Sequence, residues 1–206
     1  MEVFVGKEAH DFTAKAVLAN NTIQEDFNLK KYLGISKDSK GSKCVLFFYP
    51  LDFTFVCPSE IIAFNNRIGE FLGKNVKVVG VSVDSHFCHL AWKSTPYSKG
   101  GIGNVQFPLV ADLSKAISKA YNILNEEGVA LRGTFIIDQD FILRHITVND
   151  LSLGRNIEEA LRIIDMIDHS QEYGEVCPAE WRQGKEGMKP TSSGVSDYLT
   201  SHAEKL

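Results

Sequence analysis

The chain has 206 residues, 44% of them apolar and 23% charged, and a formal net charge of −4 at pH 7. That length suits one domain with an extension, and that composition suits a sizeable packed core. The acidic balance argues against nucleic-acid binding, which needs a basic surplus to neutralise phosphates, and no apolar run approaches the ~20 residues that span a bilayer.

The opening MEVFVGKEAHDF lacks the basic and apolar regions of a secretory leader. The closing Glu204-Lys205-Leu206 differs from the Ser-Lys-Leu peroxisomal address, so a cytoplasmic protein is expected. Asn20-Asn21-Thr22 has the form of a glycosylation site, but in that setting it reads as a turn. Lys43–Tyr49 is a short apolar and aromatic run that predicts a buried strand. Pro58 opens a helical pattern that sets Ile61, Phe64, Ile68 and Phe71 on one face and stops near Gly73. Val76–Val83 predicts a second buried strand, His86–Lys93 a short helix, and Thr95–Gly103 a loop marked by Pro and Gly.

Phe107–Val110 reads as a brief strand and Ser114–Tyr121 as a helix with Ile117 and Tyr121 inward. Thr134–Ile137 and Phe141–Val148 flank Asp138-Gln139-Asp140, the pattern of a β-hairpin. Asn156 with Glu159 forms an N-cap signature ahead of a long amphipathic helix to about His169. Beyond Gly174 the sequence becomes a polar arm without a core of its own, with a short helix at Val195–His202. Strands alternating with helices and then a hairpin predict an α/β fold, a central mixed β-sheet flanked by helices. The expected organisation is a domain over residues 1–173 and a C-terminal arm over 174–206.

In a reducing compartment the four cysteines, Cys44, Cys57, Cys88 and Cys177, point to buried, metal-bound or catalytic thiols rather than permanent disulfides. No Cys-x-x-Cys occurs, which removes the thioredoxin redox motif and the commonest zinc knuckle. Cys44 lies mid-strand and reads as core. His86-Phe87-Cys88-His89 crowds three candidate ligands into one turn without a second cluster, so no metal site is expected.

Cys57 stands in a different setting. Proline is favoured at the first helical position, so Pro58 places Cys57 at a helix N-terminus, where the helix dipole and unpaired N–H groups stabilise a thiolate. The aromatic and β-branched loop before it makes a dry pocket, with the Thr54 hydroxyl three residues from the sulfur. An inert buried cysteine is the competing reading on these grounds alone. A Cys–His hydrolase would need a base beside the sulfur, and none of the six histidines lies in these segments.

Pro50-Leu51-Asp52-Phe53-Thr54-Phe55-Val56-Cys57-Pro58 resembles the peroxidatic motif P-x-x-x-T-x-x-C of peroxiredoxins, in the form of the typical 2-Cys group. Val176-Cys177-Pro178-Ala179-Glu180-Trp181 is similar to that group's resolving segment, and Leu131-Arg132-Gly133-Thr134 to the strand carrying its active-site arginine. Val148-Asn149-Asp150-Leu151 through Gly154-Arg155 matches a further segment, and the likeness runs from Val5 to Tyr198.

This resemblance implies a thioredoxin-like fold and a peroxidase for hydrogen peroxide and organic hydroperoxides that needs no metal or organic cofactor. Cys57 would attack the O–O bond to give a sulfenic acid, with Arg132, the Cys57 N–H and Thr54 stabilising the departing oxygen. Pro50 would screen the sulfur from water, Glu60 orient the arginine, and Arg155 support it. Cys177 is implied as the resolving thiol, bonding Cys57 of a neighbouring chain in a head-to-tail homodimer paired along Phe141–Val148. Five dimers would close into a decamer through Ser85–Trp92 and the Phe53 loop. Electrons would come from thioredoxin, another dithiol protein or a dedicated flavoprotein, and a holdase chaperone is the alternative role. Gly100-Gly101-Ile102-Gly103 resembles the Gly-Gly-Leu-Gly loop of oxidation-sensitive members, and Tyr198-Leu199 stands where those carry Tyr-Phe, so inactivation at high peroxide is expected.

Overall fold

The computed structural model describes residues 4–205. Met1 to Val3 and Leu206, at the ends of the two expected spans, lie outside the described residues. The chain packs as two compact units that divide after Ile157, so the long helix groups with the arm that follows it.

The first unit is built on a seven-stranded sheet. Its strands are β1 (Thr13–Val17), β2 (Ile23–Asn28), β3 (Lys43–Phe48), β4 (Val76–Ser82), β5 (Leu109–Ala111), β6 (Arg132–Ile137) and β7 (Leu143–Asn149), in the order β2-β1-β5-β4-β3-β6-β7. The pairs β3–β4 and β4–β5 are parallel and the others antiparallel. Every residue of β3 is buried, as expected of a central strand covered on both faces. β7 is half-exposed along its length and forms one edge of the sheet.

The helices of this unit are α1 (Leu29–Leu33), α2 (Cys57–Asn66), α3 (Ile68–Gly73), α4 (His86–Ser94) and α5 (Ala116–Ala120). The single helix expected from Pro58 to Gly73 is two. Arg67 has φ −108° and ψ 11° and ends α2, where Asn65, Asn66 and Gly69 give the backbone little helical preference. The bend still buries Ile61, Phe64 and Phe71 while leaving Ile68 half-exposed. The β1–β2 hairpin has no counterpart in the sequence reading beyond its turn, in which Asn20 Oδ1 accepts from Thr22 N at 3.1 Å. On β2 only Phe27 is fully buried, among Gln24, Glu25 and Asp26, so its period is too weak to read.

One close approach ties the sheet to the helix that begins at Cys57. A Cβ at Gly80 would lie 2.8 Å from Leu109 Cδ2 and 2.9 Å from Phe47 Cζ. The bare backbone of β4 lets the Phe47 ring lie flat, and that ring stacks on Phe64 of α2 at 4.5 Å between centroids. Gly80→Ala is therefore expected to destabilise the fold by about 1–3 kcal/mol, the scale of an overpacked core, measured by denaturant unfolding. An unchanged midpoint would show that Phe47 can move aside.

Lys93 on α4 is 2% exposed and donates to the Leu18 carbonyl at 2.6 Å. Burial pulls its amine down to about 8, below the ordinary lysine value of about 10.4. Between those values the unfolded chain holds a proton that the folded chain does not, so stability rises with pH across that window. Comparing unfolding at pH 7 and pH 9.5 should show this gain in the wild type and a smaller one in Lys93→Met. Equal gains would place the amine in contact with solvent.

The second unit contains α6 (Ile157–Tyr173), from Glu158 on, the arm, and α7 (Ser192–His202). α6 runs one turn beyond His169 and ends at Gly174, whose φ of 67° and N–H to the Ser170 carbonyl at 3.0 Å close it. α7 starts three residues earlier than expected because Thr191 caps it, its hydroxyl accepting from Gly194 N at 3.1 Å. The arm folds back within this unit, pairing Val176 with Met188 and burying Trp181.

Candidate active site

β3 leads into a loop, Tyr49 to Val56, and α2 begins at Cys57 itself with Pro58 in its first turn. A helix start leaves backbone N–H groups without intrahelical acceptors, so the Cys57 sulfur sits over the positive end of α2. It is fully buried. Pro50 is also buried in the loop, and Thr54 is half-buried with its Oγ1 3.0 Å from Cys57 Sγ and 2.8 Å from the Leu51 carbonyl. A hydroxyl has one proton, so Thr54 donates to the sulfur when it is a thiolate and can turn to Leu51 when it is a thiol.

Arg132 reaches the same sulfur from the sheet. The antiparallel register Phe47↔Thr134 brings the first residue of β6 alongside the loop that leaves β3. Arg132 Nη1 lies 3.3 Å from Cys57 Sγ and 2.7 Å from Glu60 Oε2, and its Nε and Nη2 donate to the Leu151 carbonyl at 2.8 and 2.6 Å. Leu151 lies in the turn two residues past the end of β7, so main chain holds the guanidinium plane in place.

Glu60 lies three residues after Cys57 on α2 and is 3% exposed. Its other oxygen accepts from Arg155 Nε at 2.9 Å and from Arg155 N at 3.1 Å. Arg155 also donates to the carbonyls of Gly133 and Phe48 and sits 5.0 Å above the Phe47 ring. Burial pulls Arg155 below the ordinary arginine value, and the Glu60 carboxylate opposes that pull. The structure thus brings together Cys57, Thr54, Glu60, Arg132 and Arg155, with Pro50 on the adjoining loop. Cys177 belongs to the second unit, where partial burial raises its thiol above its ordinary value.

Sequence reasoning passed over a second polar cluster on the same loop. Asp52 Oδ2 is 2.7 Å from His89 Nδ1, with both side chains fully buried, and Asp52 Oδ1 accepts from Tyr49 OH at 2.9 Å. Asp52 N donates to Asp84 Oδ2 at 2.8 Å. These bonds tie the loop to α4, and the signal for them was His89 on the inward face of that helix. Donor atoms of Asp52, Asp84 and Cys88 lie within 4.8 Å of one another. Burial, reinforced by Asp52, raises Asp84 above the ordinary aspartate value and pushes the Cys88 thiol up to about 12. Cys44 is fully buried in the core, as its strand position predicts, and burial raises its thiol far above the ordinary value.

A buried sulfur at the start of a helix, fed by the central strand of a mixed sheet and faced by fixed cationic and hydroxyl donors, defines a thiol-based redox catalyst on a thioredoxin-like fold. The model of the AhpC/TSA family matches residues 5–146, and that of the C-terminal domain of 1-Cys peroxiredoxin matches residues 166–201. Alkyl hydroperoxide reductase C of Helicobacter pylori is 52% identical over 99% of this chain and 100% of its own. Peroxiredoxin-1 of Gallus gallus is 47% identical over 97% and 96%. The crystal structure of the reduced 2-Cys peroxiredoxin of Plasmodium vivax superposes with a TM-score of 0.91, at 48% identity, covering 97% of this chain and 100% of that one. The chain belongs to the AhpC/TSA family and is a peroxiredoxin, a thiol peroxidase. Among the described residues no helix is long and apolar enough to cross a membrane.

Arg132→Ala is expected to slow peroxide reduction by ~100-fold or more, the scale of losing one positioned transition-state donor. Lysine should not restore it, since an ammonium cannot serve Leu151, Glu60 and the sulfur in one plane. Stopped-flow kinetics on the purified variants decide this, and a rate within a few-fold of wild type would remove Arg132 from the reaction.

Proposed function

We propose that Cys57 is the peroxidatic cysteine and that Cys177 of a neighbouring chain resolves it, in a peroxidase acting on hydrogen peroxide and small organic hydroperoxides. The observation that carries this reading is the convergence of Thr54 Oγ1 and Arg132 Nη1 on Cys57 Sγ, at 3.0 and 3.3 Å. The thiolate attacks one peroxide oxygen and the O–O bond breaks, leaving a sulfenic acid on Cys57 and an alkoxide or hydroxide that takes a proton and departs. Negative charge grows on the departing oxygen, beside a guanidinium that needs no rearrangement to meet it. Glu60 and Arg155 act through Arg132, holding its plane, and Pro50 keeps water from the sulfur.

The relatives named alkyl hydroperoxide reductase C and Peroxiredoxin-1 support the substrate class. Resolution uses the Cys177 thiol, which attacks the sulfenic sulfur, and the S–O bond breaks with loss of water. The edge position of β7 suits a two-fold strand pairing between chains. Phe53 and Phe87, 49% and 66% exposed, with Phe53 5.7 Å from Trp92, offer an apolar patch for a second interface that would close dimers into a decamer. Thioredoxin or an equivalent dithiol protein then reduces the disulfide, in keeping with a cytoplasmic peroxidase domain followed by a C-terminal arm.

Peroxide-treated protein should run as a covalent dimer on a non-reducing gel. Cys57→Ser should lose all turnover, because a serine hydroxyl without a base is no nucleophile at neutral pH. Cys177→Ser should consume one equivalent of peroxide and stop. Loss of both thiols in a band that stays monomeric would replace the interchain bond with an intrachain one, and thiol-dependent turnover in Cys57→Ser would end the assignment.

A further inference from the structure

Cys177 is parked in the second unit. Its Sγ donates to the Met166 carbonyl of α6 at 3.6 Å, a contact that only the protonated sulfur can make. The loop carrying it is closed on both sides. Ahead of it, Val176 and Met188 exchange two backbone hydrogen bonds of 2.8 and 2.9 Å. Behind it, Trp181 is 2% exposed, its ring 4.8 Å from His169 and its Nε1 donating to the Lys185 carbonyl at 3.0 Å.

One side chain of α6 joins these parts. Arg162 Nη1 donates to the Trp181 carbonyl at 3.0 Å and lies 3.2 Å from Met166 Sδ. Its Nε and Nη2 grip both oxygens of Glu159 at 2.7 and 2.8 Å, so the guanidinium is aimed before it meets the loop. Arg162 therefore contacts the residue whose carbonyl holds Cys177 and also the carbonyl four positions beyond that cysteine.

We propose that Arg162 is a positioning residue for the resolving step: it clamps the Trp181 carbonyl to α6, keeps the Cys177 loop closed, and so sets how fast Cys177 is released to meet the sulfenic acid. This rests on the reading of Cys177 as the resolving thiol. In that step Cys177 gives up its proton, its sulfur bonds to the Cys57 sulfur, and the sulfenic oxygen leaves as water with that proton. Cys177 cannot begin while it donates to Met166. Arg162 favours the Cys177 thiolate while Glu175 opposes it, but both act on the parked sulfur, so their influence ends when the loop leaves α6. A slower release gives a second peroxide more time to carry Cys57 to the sulfinic acid.

The test is a single turnover of reduced full-length protein with one equivalent of hydrogen peroxide, quenched with a maleimide and read as disulfide on non-reducing gels. Sulfinic acid on Cys57 is measured by mass spectrometry at higher peroxide. Arg162→Met keeps the aliphatic stem and should form the disulfide about 3- to 10-fold faster, the scale of one net hydrogen bond, with less sulfinic acid. Consumption of the first peroxide, measured alongside, should keep its rate. Arg162→Lys can still reach a carbonyl but cannot grip Glu159 through two parallel bonds, so its disulfide rate should fall between the two, and it serves if the methionine variant does not fold. A disulfide rate in both variants equal to or below the wild-type rate overturns the role of Arg162. If the wild-type protein itself forms no Cys57–Cys177 bond, it is the resolving assignment of Cys177 that falls.

Discussion

The carboxylate of Glu60 is shared between two guanidinium groups, Arg132 on one oxygen and Arg155 on the other, with all three side chains at most 4% exposed. Such a cluster is costly to desolvate, and buried ion pairs add little stability against a well-packed apolar core. Its value lies in charge and geometry. Two cations and one carboxylate leave a net charge of one positive unit buried beside Cys57, and a thiolate there makes the cluster neutral. That positive unit lies against the Cys57 sulfur, with Arg132 Nη1 3.3 Å from Sγ.

The rest of the first unit keeps that cluster from rearranging. Arg132 is anchored on the Leu151 carbonyl, and Arg155 on those of Gly133 and Phe48. Main-chain carbonyls at or near strand ends are held by the sheet, so the donors facing the Cys57 sulfur are fixed in place. The Phe47 ring supports this from below, lying on the bare backbone of Gly80, against Phe64 of α2 and under Arg155. One aromatic side chain thus sets the distance between the helix that presents the sulfur and an arginine that steadies the site.

The second unit follows the opposite design. Its thiol is held by contacts that are few and individually weak: a long S–H to carbonyl contact, one two-bond strand pair and a clamp on one carbonyl. Contacts of this kind open locally at small free-energy cost. The two units thus differ in kind: rigid donors surround Cys57, and lightly held contacts surround Cys177.

Much of this could be read from the chain alone. Pro58 after Cys57 announces a sulfur at a helix start because proline suits only the first turn, and the apolar runs of β3 and β4 announce buried strands. The ordered motifs around Thr54, Cys57, Arg132 and Arg155, through their resemblance to peroxiredoxin segments, singled out side chains that the fold brings together. The β1–β2 hairpin was illegible because a strand with one buried side chain has no measurable period, and the α2–α3 break because weak helix formers bend only where tertiary packing asks them to. The sharing of Glu60 by two arginines 23 positions apart, the Asp52–His89 pair and the Arg162 clamp were decided by tertiary structure alone. Each joins groups far apart in the sequence, and their meeting is fixed by strand register, by the packing of α4 and by the fold of the arm onto α6.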